Sequence, residues 1–457
     1  MAEPDHQASR EHSTWVNSER WIPSRFVRPL MRFISIESAG GVVLLVAAVS
    51  ALLWANAPFG ESYEQFWETH FELSFAGIHL AESLRDLVND GLMAIFFFVV
   101  GLEIKRELVT GDLRDPKAAA LPVIAALGGM IVPAVLYLSF NGGGEASQGW
   151  GIPMATDIAF SVGIVSLLGR RVPVGARLFL LALAIVDDIG AITVIAIFYT
   201  DTLLLGYLGA AIGGLAAVAV ANRVGVRSMT FYIPVALATW YFLLESGVHA
   251  TLAGVALGML TPVRSMYSDS DFHHRTLRIL KRYDVASAAS RGRERIDQDA
   301  LEVSIIARES VSPLRRLETA LHPWSSFVIV PVFALANAGV RFSGVDVGEA
   351  VTHPVSLGVM IGLFAGKIVG VSVFSWLAVK LRLGVLPRFA GWTHIVGLAA
   401  IAGVGFTVSL FITGLAFDSA VLADRAKIGI FVGSFASGVV GYLILRSTQP
   451  SDTATSS

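Results

Sequence analysis

The sequence predicts an all-α membrane protein of twelve transmembrane helices, and three observations predict it. Hydrophobic residues make up 54% of the 457-residue chain and charged ones only 15%, with a mean hydropathy of +0.65. A soluble domain carries about 25% charged residues, so this chain lacks the means to cover itself in water. Twelve stretches are apolar over enough residues, roughly 20 at about 1.5 Å each, to cross about 30 Å of hydrocarbon. Lys and Arg concentrate in alternate connectors, as the positive-inside rule requires. This composition excludes an ordinary cytosolic enzyme and a disordered chain. A net charge of −2 offers no basic field for nucleic acid. The absence of cysteine excludes disulfides, thiolate nucleophiles and Cys-ligated metals, and no cofactor is expected.

In chain order, residues 1–36 are expected to form a polar cytoplasmic tail carrying Arg10, Arg20, Arg25, Arg28 and Arg32, with no removable signal peptide. Residues 37–446 form the membrane domain, and 447–457 a second cytoplasmic tail. The spans are expected near 38–57, 84–102, 118–138, 152–168, 178–200, 202–220, 229–245, 247–261, 324–340, 355–379, 391–415 and 426–445. They are apolar all round rather than striped, which argues against a soluble helical array. With the N-terminus inside, the inner segments hold 29 Lys and Arg and the outer ones 4, Arg425 and Lys427 among them. A miscounted helix would invert that bias from the error onward, and no inversion occurs. The longest connector, 262–323, is then cytoplasmic; its 11 basic residues among acidic ones suggest a solvated, helical or partly disordered excursion.

Few ionisable residues lie inside the spans: Asp157 in the fourth, Asp187 and Asp188 in the fifth and Lys367 in the tenth, with Asp90 and His249 nearer span ends. Each central charge costs about 2.5–3.5 kcal/mol to insert, which points to function. Lys367 is too far from either interface to snorkel, so its ammonium needs an internal carboxylate or water. Successive helical residues diverge by about 100°, so Asp187 and Asp188 cannot share one face, and Lys367 can pair closely with only one of them. Burial and the neighbouring negative charge both favour a held proton, which suits groups that exchange protons for cations. Carboxylates, the Thr156 hydroxyl and bare carbonyls are ligands for a hard monovalent cation.

Two spans carry breaking signals, Gly151-Ile152-Pro153 in the fourth and Gly403-Val404-Gly405 in the eleventh. Spans three to five and ten to twelve would then be matching triplets of opposite orientation, each with a discontinuous central member, a pattern that points to a midplane binding site. A carboxylate such as Asp157 would compensate the positive N-terminal helix ends, and Lys367 the negative C-terminal ends.

The strings Met154-Ala155-Thr156-Asp157-Ile158-Ala159-Phe160-Ser161 and Ile185-Val186-Asp187-Asp188-Ile189-Gly190-Ala191-Ile192 resemble the bacterial NhaA family of sodium/proton antiporters. So do Gly101-Leu102-Glu103-Ile104-Lys105-Arg106-Glu107-Leu108, Gly247-Val248-His249-Ala250-Thr251-Leu252-Ala253-Gly254 and Phe333-Ala334-Leu335-Ala336-Asn337-Ala338-Gly339. The resemblance runs from about residue 34 to 446. Inverted repeats are known for this family, so the repeat reading does not stand apart from it.

The resemblance implies electrogenic export of cytoplasmic Na⁺ or Li⁺ in exchange for external protons, two per cation, on a twelve-span homodimer in the bacterial inner membrane. The exchange would be pH-regulated and serve sodium and pH homeostasis. By the same resemblance, Asp187 and Asp188 bind the cation and protons, Thr156 and Asp157 belong to the broken span, and Lys367 is the central ammonium. Glu103, Arg106 and Glu107, with Arg315 and Glu318, match the family's pH-sensing cluster, and Asp90 and His249 are candidate supporting groups. Thr319 departs from members with histidine there, while His322 matches; loop 262–323 and the N-terminal tail look longer than in the best-known members.

Competition between protons and cation at one alternately accessible site would drive the exchange. An intramembrane aspartyl protease is disfavoured because its Gly-x-Gly-Asp string is absent. A passive cation channel would carry a charged ring or carbonyl filter instead. A proton-coupled symporter of another substrate is the remaining alternative.

Overall fold

The computed structural model describes residues 39–75, 78–200, 203–288, 293–342 and 347–449. The expected N-terminal tail, and all but the first three residues of the C-terminal one, lie outside the described residues.

The described chain is almost wholly helical. Helices α1 (Ala39–Ala55) and α2 (Glu61–Trp67) lead into an antiparallel pair, β1 (His70–Phe75) and β2 (Ile78–Ser83), with His70 opposite Ser83. Then come α3 (Leu84–Val109), α4 (Pro116–Phe140), a 3₁₀ segment at Glu145–Met154, α5 (Ile158–Leu168) and α6 (Val174–Phe198). Helices α7 (Leu205–Val224), α8 (Met229–Leu244) and α9 (Thr251–Leu260) precede a helical pair, α10 (Asp269–Ala288) and α11 (Arg293–Ser310). The remainder is α12 (Pro313–Asn337), α13 (Val347–Thr352), α14 (Pro354–Lys380), α15 (Trp392–Ile401), α16 (Phe406–Ala416) and α17 (Ala420–Arg446).

Eight helices among the described residues are long and apolar enough to cross a membrane, or nine crossings if α15 and α16, bent by 46°, make one span. Helices α1, α8 and α9 are apolar but shorter. Leu45, Leu53, Leu205, Val220, Ile233 and Phe435 are all exposed on helix surfaces, where hydrocarbon rather than water is the natural solvent.

Three long helices start by the same device, a capping side chain followed by proline. Asp115 accepts from Lys117 N at 3.0 Å, Ser312 from Arg315 N at 3.3 Å and His353 from Val355 N at 3.3 Å, ahead of Pro116, Pro313 and Pro354. The caps satisfy amides that have no intrahelical partner, and proline at the first helical position has none to satisfy.

Glycines bring α4 and α14 into close contact. A Cβ on Gly128 would lie 2.4 Å from the Gly370 carbonyl oxygen, and one on Gly370 would lie 2.1 Å from that of Gly128. Where lipid removes the hydrophobic drive between helices, such backbone approach supplies dispersion contact in its place. It also holds the α14 stretch bearing Lys367 against α4.

Most helix ends differ from the sequence expectation by a few residues, and two of the larger shifts bring polar or charged residues into helices. The helix expected at 324–340 begins at Pro313, because its Ser312 cap and a polar first half extend it beyond the apolar stretch. The last helix begins at Ala420 instead of 426, so Arg425 and Lys427 sit within it rather than in a connector. Lys427 lies 3.3 Å from Asp424 on the preceding turn.

Candidate functional site

Two stretches of the interior depart from helical geometry and meet. Residues 155–157 are extended between the 3₁₀ segment and α5, and residues 402–405 separate α15 from α16. The 155–157 break falls just after Pro153, and the tight turn at 402–405 contains Gly403 and Gly405. Asp157 N donates to Val404 O at 2.6 Å, Ser161 Oγ to Ile401 O at 3.3 Å and Ser409 Oγ to Ile152 O at 2.8 Å. Each break thus satisfies polar groups that the other leaves bare, which apolar surroundings would otherwise make costly.

Asp157 joins the two helix starts. It caps α5, accepting Phe160 N at 3.1 Å through Oδ1, while Oδ2 accepts the Thr407 amide at 3.1 Å and the Thr407 hydroxyl at 2.5 Å. One carboxylate therefore faces the positive ends of two helices. Thr407, which the sequence reading did not single out, completes this arrangement; its signal was a hydroxyl in the first turn after a Gly-rich break.

Lys367 is fully buried on α14 and donates to Asp187 Oδ2 at 2.6 Å and to the Thr156 hydroxyl at 3.1 Å. The Thr156 hydroxyl lies 2.8 Å from both Asp187 Oδ2 and the Ala402 carbonyl, and its single proton can serve either. The ammonium pairs with one of the two adjacent carboxylates, and Thr156 stands between it and the Ala402 carbonyl, so Lys367 does not meet that carbonyl directly.

Asp187 and Asp188 share helix α6 but not their contacts. Asp187 takes both polar contacts through one oxygen, leaving Oδ1 buried without a hydrogen-bond partner among the described residues. Asp188 is also buried, and its Oδ1 is likewise unpartnered. Leaving such oxygens unsatisfied away from water is unfavourable unless a proton, a water or a cation meets them. Two carboxylates and a hydroxyl, with an ammonium on one side only, can exchange protons for a small hard cation.

The second group of expected residues lies at the other end of α3. Arg106 pairs with Glu107 at 3.0 Å and with Glu318 of α12, while Glu103 lies one turn earlier on α3. Arg315 is not brought into this group. It occupies the first turn of α12, where its side chain is exposed, and makes no ion pair among the described residues; Arg316 is the paired one, with Glu309 at 3.0 Å. Sequence spacing could not separate these adjacent arginines.

Asp90 lies in a π-helical turn of α3 (Leu87–Leu92), where its carbonyl accepts the Trp240 indole at 2.9 Å. His249 Nε2 is 2.5 Å from the Tyr199 carbonyl, and the Tyr199 hydroxyl donates to Gln148 O at 2.6 Å and accepts Gly151 N at 3.3 Å. His249 is thereby linked through Tyr199 to the 3₁₀ segment leading to Thr156.

The sequence matches the family described as Na⁺/H⁺ antiporter 1 over residues 31–445. Named relatives are similar along nearly their whole length. The Na⁺/H⁺ antiporter NhaA of Anaeromyxobacter is 47% identical over 92% of each chain. That of Koribacter versatilis is 46% identical over 92% of this chain and 91% of its own. The Na⁺/H⁺ antiporter NhaA 2 of Sorangium cellulosum is 43% identical over 94% of each.

Proposed function

Because this chain belongs to the Na⁺/H⁺ antiporter 1 family, and so is a multi-pass membrane transporter rather than an enzyme, we propose that it exports cytoplasmic Na⁺ or Li⁺ in electrogenic exchange for external protons at Asp187 and Asp188. The observation that supports this most directly is the buried Lys367–Asp187 pair beside Asp188, with one unpartnered oxygen on each carboxyl group. When the site faces inward, Asp188 gives up one proton and the Lys367–Asp187 pair a second. The cation then enters among Asp188, Asp187 and Thr156. After reorientation, two external protons return and displace it. One net positive charge moves inward per cycle, so an inside-negative potential drives sodium out.

Asp157 and Thr407 hold the two broken helices together while the site reorients. The described long helices, the bent pair and the three short apolar helices together make twelve crossings, with the triplets of spans three to five and ten to twelve inverted. Both termini are then cytoplasmic in the bacterial inner membrane, and the basic residues favour that orientation. The functional unit is a homodimer. The Glu103, Arg106, Glu107 and Glu318 cluster senses cytoplasmic pH.

Purified protein in liposomes with an imposed pH step tests this reading. Na⁺ and Li⁺, but not K⁺, should release protons, followed by dye, and Asp188→Asn should abolish the response. Normal exchange by that variant, or flux indifferent to the proton gradient, would refute the assignment.

A further inference from the structure

The long connector between α9 and α12 is an antiparallel helical pair, and its last residues are tied to two other parts of the cytoplasmic face. Glu309, at the end of α11, receives Arg227 Nη1 at 2.5 Å from the connector between α7 and α8, and Arg316 Nη1 at 3.0 Å from the first turn of α12. Arg316 Nη1 also donates to Arg308 O at 3.1 Å, the Glu309 carbonyl accepts Met266 N at 2.9 Å, and Leu314 N donates to Pro262 O at 3.2 Å. Only 18% of the Glu309 side chain is exposed, so the contacts are not a loose surface pair.

We propose that Glu309 is a positioning residue for pH control: by clasping Arg227 and Arg316 it sets where α12 presents Glu318 to Arg106. Arg316 and Glu318 lie two residues apart on one rigid helix, so a shift at Arg316 carries Glu318 with it. The groups facing Glu309 are Arg227 and Arg316; those facing Glu318 are Arg106 and Glu103 of α3, with Glu107 sharing Arg106. Burial pushes the Glu309 carboxyl up, but hydrogen bonds from Arg227 and Arg316 outweigh it and hold the group below its ordinary value. The clasp therefore stays charged at neutral and alkaline pH and acts as a strut, not as the sensor.

The proposal rests on the exchange reading above, and two measurements separate them. The chain has no cysteine, so spin labels at Val226→Cys and Leu280→Cys, both exposed in the native chain, report the distance between the α7–α8 connector and the helical pair. That distance distribution should broaden in Glu309→Gln and Arg316→Gln and recover in Glu309→Asp. In liposomes, the half-maximal pH of exchange should move by about half a unit or more in each Gln variant. The double variant should move no further than either single one. An unchanged distance distribution overturns the clasp. A broadened one with an unmoved pH profile overturns the positioning role. A doubly labelled protein with Glu309 and Arg316 intact that gives the expected distance but exchanges nothing refutes the exchange reading and leaves the clasp supported by its distances.

Discussion

Lys367 and Asp187, 180 residues apart in sequence, meet at 2.6 Å with both side chains wholly buried. Asp188, one residue further along α6, is turned from the ammonium by the helical rotation of about 100°. Among the described residues no hydrogen-bond partner meets its buried Oδ1.

Removing Lys367 should strand a buried carboxylate. Lys367→Ala is expected to cost about 3–5 kcal/mol, read as a lowered melting temperature in detergent. Lys367→Ala with Asp187→Asn should recover part of that loss, because no unpaired charge remains. An unchanged melting profile in the single variant would show that the pair contributes no stability.

The double helix-start contact of Asp157 should grade its substitutions. Asp157→Asn keeps an acceptor and should lose about 1–2 kcal/mol of stability, whereas Asp157→Leu strips acceptors from Phe160 N and Thr407 and should lose more. Thr407→Val, which removes one of these bonds, should fall nearest the wild type. Equal losses for the Asn and Leu variants in a chemical denaturation series would argue against a capping role.

Crowding at the α4–α14 contact should be felt at Lys367. Gly370→Ala would place a methyl group 2.1 Å from the Gly128 carbonyl oxygen and should destabilise by about 1–3 kcal/mol. Exchange should slow as α14 shifts. Gly206→Ala, where nothing lies within 4 Å, is the control and should be neutral or slightly stabilising. Equal melting temperatures for the two variants would contradict the close approach.

Acid should weaken the start of α14. Burial and the nearby Arg425 hold the His353 imidazole below its ordinary value, and only the neutral ring can accept Val355 N through Nδ1. The stabilisation is present above the unfolded pKa of about 6.5 and is lost as pH falls through the lower folded one. Melting temperature measured from pH 8 down to pH 5 should therefore fall, and His353→Asn, which caps at any pH, should flatten that fall. A parallel decline in both proteins would assign the acid sensitivity elsewhere.

How legible these features were depends on the range over which each is determined. Transfer into hydrocarbon is decided one helix at a time, so composition, span length and the identity of the costly buried charges could be read from Asp157, Asp187, Asp188 and Lys367 in the linear chain. Strings around those residues were enough to suggest the family. Partners were not legible, because they depend on the rotation and depth of helices far apart in sequence. Tertiary packing chose Asp187 over Asp188 for Lys367, Arg316 over Arg315 for an ion pair, and Thr407 to share Asp157. Each choice separates residues that hydropathy and spacing treat alike, and only the docking of one helix against another tells them apart.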